Sequence, residues 1–153
     1  MFSTLADRLS RWFGPKNSRR RKSVAWASEG LEQRALLATL VGANKVTYQD
    51  FDGDNVTVTL SKPILTSANV NSIFTFNSGS VNNSNAGKQV LFSINLAGLT
   101  SAAGTTITTA SARSPKTGGD GYASLGEINA SGIDLGAIVM DGDLGQIHAG
   151  DTT

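Results

Sequence analysis

Between Leu125 and Asp151 the chain reads LGEINASGID, then LGAIVMDGD, then LGQIHAGD, one short unit written three times. Leu125, Leu135 and Leu144 open the units and Gly126, Gly136 and Gly145 follow them; Ile128, Ile138 and Ile147 come two residues later, and Asp134, Asp143 and Asp151 close them. Each unit has the pattern of a short strand ending in a Gly-Asp turn. So short a unit cannot bury its apolar residues alone. It buries them by stacking on its neighbours, so the repeat predicts a parallel β-helix or solenoid. Units of eight to ten residues are half-coils of a two-sided solenoid, and three of them make about one and a half coils. Such stacks need roughly three repeats. Residues 117–153 are therefore expected to be the truncated beginning of a solenoid, whose end is continued by further chain or capped by a partner.

Upstream the period changes to two. Val46 and Tyr48, then Val56, Val58 and Leu60, alternate with polar residues on either side of Asp50-Phe51-Asp52-Gly53-Asp54-Asn55, predicting a β-hairpin with an acidic turn. Further short strands are expected at Ile73–Phe76, along Val90, Phe92, Ile94 and Leu96, and at Thr105–Ala110 around Ile107. No helical periodicity interrupts them. Residues 44–116 thus read as a small N-terminal β cap over the open end of the solenoid, or else as an independent small β-sandwich. The expected fold class is all-β, which suits a chain with 17 glycines, 7% aromatic and 16% charged residues. The absence of cysteine excludes disulfides, thiolate zinc sites and a cysteine nucleophile.

Charge is divided along the chain. Up to Arg34, eight Lys and Arg face three Asp and Glu, and after it five face nine. Phe2, Leu5, Leu9, Trp12 and Phe13 fall at helical spacing, with Thr4 and Asp7 as cap and Gly14-Pro15 as stop. This predicts a short amphipathic helix, either meeting a membrane or sorting machinery or folding only transiently at the terminus. Ser18-Arg19-Arg20 lacks the apolar residues that follow a twin-arginine signal. The order of a basic stretch, an apolar run from Ala35 to Ala43 and a small-residue end at Val41-Gly42-Ala43 is that of an export leader. The run is shorter than the roughly 20 residues of a membrane span. Residues 1–43 are expected to be a mostly disordered targeting leader.

Within it, Leu31-Glu32-Gln33-Arg34-Ala35-Leu36-Leu37-Ala38 resembles the LEPR-x-LL segment near the N-terminus of many large planctomycete-type surface and secreted proteins. Leu31, Glu32, Arg34, Leu36 and Leu37 carry the likeness of segment 31–38, and Gln33 stands where that family has proline. YQDFDGDNVTVTLSKP, TGGDGYASLGEINASGIDLG and DGDLGQIHAGD are similar to segments of uncharacterised repeat-bearing surface proteins. The resemblance implies an extracellular or cell-surface location and a β-helical architecture, and brings no catalytic residues with it.

Two aspartate groups are calcium candidates, since a hard cation needs several carboxylate oxygens in one place. Asp50, Asp52 and Asp54 alternate in the hairpin turn, but Asn55 and Ser61 stand where an EF-hand loop has glycine and glutamate. The competing expectation is a solvated Asp-Gly turn. Asp134, Asp143 and Asp151 are expected to form a column about 5 Å apart if the units stack in register, capping backbone amides or sharing calcium. Thr117–Leu125 overlays a calcium-binding nonapeptide except that Ala123 replaces its aspartate. His148 is the only histidine, and Asp141 and Asp143 are expected to have no aromatic platform beside them, so no catalytic constellation is predicted. No basic patch with interleaved aromatics follows the leader, which argues against nucleic acid. The expectation is a non-catalytic structural or adhesion protein displayed outside the cell, with envelope or matrix components as partners. The alternatives are a calcium-dependent binding module and a carbohydrate-active β-helix enzyme.

Overall fold

The computed structural model describes residues 38–78, 80–82 and 88–150. The expected amphipathic helix and most of the leader, Leu31, Glu32, Arg34, Leu36 and Leu37 included, lie outside these residues, as does Asp151. Among the described residues nine strands form two sheets. The strands are β1 (Thr39–Leu40), β2 (Lys45–Gln49), β3 (Asn55–Leu60), β4 (Phe74–Phe76), β5 (Leu91–Asn95), β6 (Ile107–Ala112), β7 (Ala123–Ser131), β8 (Ile138–Val139) and β9 (Gly142–Gly150). The only helical pieces described are one turn, α1 (Val70–Ile73), and a 3₁₀ turn at Thr100–Ala102.

The all-β expectation holds. The first sheet runs β1-β2-β3-β6-β8 and the second β4-β5-β7-β9, and neither closes on itself. The alternation that predicted the hairpin fixes its register, with Val46 opposite Val58, Tyr48 opposite Val56 and Gln49 opposite Asn55. One face of the hairpin is therefore apolar throughout, and Val46, Tyr48, Val56, Val58 and Leu60 are buried. β6 adds to β3 antiparallel, bringing Ile107 opposite Leu60.

From β5 onward the pairing changes. β7 lies parallel to β5 and β9 parallel to β7 in the second sheet, while β8 lies parallel to β6 in the first. The chain visits the two sheets in turn, and like residues meet across strands. Leu91, Leu125 and Leu144 form one column, Ile94, Ile128 and Ile147 a second, and Ile107 pairs with Ile138 in the other sheet. Each such side chain, when fully buried, contributes about 1.5–3 kcal/mol. Side chains from both sheets build one core. Its burial fades at β8 and β9, the edge strands, where Val139 and Ile147 are exposed.

The glycine of each Leu-Gly pair has a steric cause. A Cβ on Gly126 would lie 2.5 Å from the carbonyl oxygen of Phe92, and one on Gly136 would lie 2.8 Å from that of Gly104. Gly145 meets the Gly126 carbonyl in the same way.

Three local expectations are corrected. Ile73 ends α1 instead of opening a strand, because Thr66 and Asn69 cap each other's backbone N–H groups and start a helical turn. Along β5 the alternation breaks: Leu91 and Ile94 point inward and Phe92 outward, where the register shifts opposite Phe76 and the ladder skips Gly126. Residues 38–43, expected in the leader, belong in part to the fold. Ala38 is buried, Thr39 and Leu40 pair with β2, and the Val41 N–H donates to the Lys45 carbonyl. Residue 116 was the expected boundary between cap and repeats, and strands from both sides of it share each sheet.

Candidate metal centre

The turn between β2 and β3 is built by its own aspartates. The Asp50 carboxylate oxygen Oδ1 accepts the Gly53 N–H at 3.0 Å and the Asp54 N–H at 2.7 Å. Gln49 Nε2 donates to the Gly53 carbonyl at 2.9 Å. Gly53 has φ +101°, and a Cβ there would strike Thr117, so only glycine fits.

Asp54 turns toward the segment that leads from β6 into β7. Its Oδ1 accepts the Ser114 N–H and its Oδ2 the Gly121 N–H, both at 2.6 Å. Its carboxylate fills the place a Cβ on Gly119 would take. Asp52 joins the same segment through Oδ2, which accepts the Asp120 N–H at 3.0 Å, and Asp120 Oδ1 in turn accepts the Tyr122 N–H at 2.9 Å. The solvated Asp-Gly turn is corrected here: Asp50 and Asp54 are buried and Asp52 half-buried, because the segment from β6 to β7 closes over the turn.

Asp50, Asp52 and Asp54 each place a carboxylate oxygen so that all three lie within 4.8 Å of one another, an arrangement that can hold a metal ion. Burial pushes the Asp50 carboxyl up to about 6, and its hydrogen bond to Asp52 adds to this. Asp52 is held below the usual carboxylate range, first by that same hydrogen bond and then by the Asp120 N–H. Of the two, Asp50 is the carboxyl that releases its proton last as pH rises. Burial, and then the charge of Asp50, pushes the Tyr48 phenol up.

Beside the turn lies a cavity of about 240 Å³. Asp50, Asp52, Asp120 and Asp143 line it with carboxylates, and Gln89 lines it as well. Phe51 and Tyr122, 73% and 63% exposed, stand on the same cavity. Asp143 thus does have aromatic neighbours, contrary to expectation, because β9 begins beside Ser124 of β7, next to Tyr122.

The expected aspartate column does not form among the described residues. Asp143 opens β9, whereas Asp134 lies near Gly150 at the other end of that strand. Successive units fall in different sheets, so equivalent positions do not stack. Asp141 donates its N–H to Thr109 Oγ1 at 3.2 Å. His148 is exposed on β9, its Nε2 3.7 Å from a Glu127 oxygen and outside the cavity.

Sequence reasoning missed Gln89, Asp120, Phe51 and Tyr122. Asp120 and Tyr122 sat in the glycine-rich stretch read only as a turn, and nothing local distinguished Gln89. Carboxylates and a carboxamide, without thiolate or imidazole, are donors for hard cations. The fold and site define a strand-rich, two-sheet protein with an oxygen-lined acidic cavity. No protein-family model, no curated protein and no solved structure matches the chain. No helix among the described residues is long and apolar enough to cross a membrane.

Proposed function

We propose that this chain is a non-catalytic structural or adhesion module, displayed outside the cell and built as the opening coils of a two-sided parallel β-solenoid. The observation that carries the reading is the strand path: β5, β7 and β9 parallel in one sheet, β6 and β8 parallel in the other, with the chain alternating between them. Coils stacked along one axis would follow such a path and would bury Leu and Ile columns of this kind. Leu135, Ile138 and Leu144, only partly buried against the core, are the apolar residues that a further coil or a capping partner would cover.

Export is supported by the basic stretch and apolar run ahead of β1 and by the LEPR-x-LL likeness. Envelope or matrix components are the fitting partners, since a stiff solenoid offers a long Ser-, Thr- and Asn-rich face. A carbohydrate-active enzyme is disfavoured. Glycoside hydrolysis needs two carboxyls with distinct roles about 5–10 Å apart, whereas Asp50 and Asp52 share a hydrogen bond and both oxygens of Asp54 bind backbone.

The test is the intact mass and location of the native protein. A species in the envelope or secreted fraction, processed near the leader or larger than 15.9 kDa, is the expected result. An unprocessed protein of 15.9 kDa confined to the cytosol overturns the reading.

A second reading, a calcium-dependent binding module, is favoured by the three clustered carboxylates. Its check is thermal melting of the full chain with calcium and with a chelator. A higher midpoint with calcium supports it, and identical curves remove it.

A further inference from the structure

Gln89 is completely buried, and neither its Oε1 nor its Nε2 has a hydrogen-bond partner among the described residues. A carboxamide in that position is costly to bury. Its backbone N–H donates to the Gln49 carbonyl at 3.1 Å, which seats it next to Asp50, and it lines the same cavity as Asp50 and Asp52. That cavity gathers two kinds of unfinished polar group. One is an unpartnered carboxamide; the other is a pair of carboxyls packed against each other with further acids, Asp120 and Asp143, around the cavity. One bound cation would complete both.

We propose that this cavity is a calcium-sized divalent-cation site in which Asp50, Asp52 and the carboxamide oxygen of Gln89 are the protein ligands. Asp54, with an oxygen within 4.8 Å of theirs, adds its charge beside them, and Asp120 and Asp143 supply negative charge around the cavity. This deepens the calcium-dependent reading above and rests on it. Calcium takes six to eight oxygens at about 2.3–2.6 Å, so opposite ligands stand about 4.6–5.2 Å apart. The carboxylate oxygens of Asp50, Asp52 and Asp54 lie within 4.8 Å of one another, close enough to share one such ion. Magnesium, which dehydrates reluctantly and keeps several waters, is less suited to a site made of protein oxygens. Cavity water fills the remaining positions.

The donors come from distant parts of the chain. Asp50 and Asp52 lie in the β2–β3 turn, Gln89 precedes β5, and Asp120 and Asp143 precede β7 and open β9. The ion therefore fastens the antiparallel hairpin of the first sheet to the parallel strands of the second. It acts as a staple and not as a reagent.

The experiment uses the full chain. Terbium is titrated in and its luminescence, sensitised by Tyr122 on the cavity, is followed; calcium and then magnesium are added as competitors, and melting is recorded with calcium and with chelator. The expected result is saturable terbium emission displaced by calcium far below the magnesium concentration needed, with a melting midpoint several degrees higher in calcium. Asp52→Asn and Gln89→Leu each weaken calcium binding at least tenfold, while Asp134→Asn leaves it unchanged. Gln89→Leu keeps the buried bulk without the orphan polar atoms, so it folds at least as well as the parent in chelator. Calcium binding that survives in both Asp52→Asn and Gln89→Leu but disappears in Asp134→Asn overturns this site and leaves the calcium-dependent reading standing. No calcium response in the parent chain overturns both.

Discussion

Leu125 pairs in register with Leu144, while Leu135, which stands between them in the sequence, lies in neither strand. Successive units of the sequence repeat thus lie in different sheets. Alternate units stack in the second sheet, and the middle one supplies β8 to the first.

The columns make a graded prediction. Ile128 is fully buried between Ile94 and Ile147, whereas Ile147, on the edge strand, is 46% exposed. Ile128→Ala is expected to cost about 2–5 kcal/mol, and Ile147→Ala less than about 1 kcal/mol. Urea unfolding of the two variants measures the difference. Equal losses would mean that β9 is covered in solution.

Gly126 predicts a steric cost of a different kind. Its missing Cβ leaves room for the Phe92 carbonyl at 2.5 Å, and backbone there cannot give way as a flexible side chain would. Gly126→Ala is expected to destabilise by about 1–3 kcal/mol through overpacking. Gly132→Ala has open space but a φ of +75°, and should cost about 1 kcal/mol. Denaturant midpoints of the two variants rank them, and the reverse order would falsify the close-approach explanation of the Leu-Gly pair.

Much of the fold was legible in the sequence because its signals are local. Period-two alternation marked β2 and β3 and which of their residues face inward, while the tight turn at Asp50–Asp54 sets which residues pair. What the sequence hid is the partner of each strand. Leu91-Phe92-Ser93-Ile94 shares with Leu125-Gly126-Glu127-Ile128 only its Leu and Ile, so it was read as part of a cap, although it stacks directly on β7. The candidate site was legible in the same proportion. The clustering of Asp50, Asp52 and Asp54 follows from a tight turn, but Gln89, Asp120 and Asp143 reach it only through the stacking of β5, β7 and β9. No spacing rule connects residues brought together by tertiary structure.

Asp54 is expected to matter more for folding than for any ion. It is fully buried and accepts the Ser114 and Gly121 N–H groups, both at 2.6 Å, so it tethers the crossing from β6 to β7. Asp54→Ala strands two donors and should cost about 3 kcal/mol or more. Amide hydrogen exchange at Ser114 and Gly121 should accelerate well beyond that of the β3 strand interior. Unchanged protection at those two amides would remove the tether.

The pH dependence of the cation-free chain follows from Asp50. Its carboxyl is raised from the ordinary 3.8 to about 6 by burial and by the contact with Asp52, so the folded state binds this proton more tightly than the unfolded one. The associated stability is fully present below the ordinary value and is lost as pH rises through about 6. Asp52, shifted the opposite way, acts only in more acid solution: its contribution is present above the ordinary carboxylate value and lost as pH falls through its folded value. Between about pH 4 and pH 7, urea midpoints measured in chelator should therefore fall with rising pH. Asp50→Asn removes the titrating carboxyl, and the difference between the two curves isolates the Asp50–Asp52 pair from the remaining acids and from His148. The parent should lose stability relative to Asp50→Asn across that window. Parallel curves would place the shared proton elsewhere in the turn.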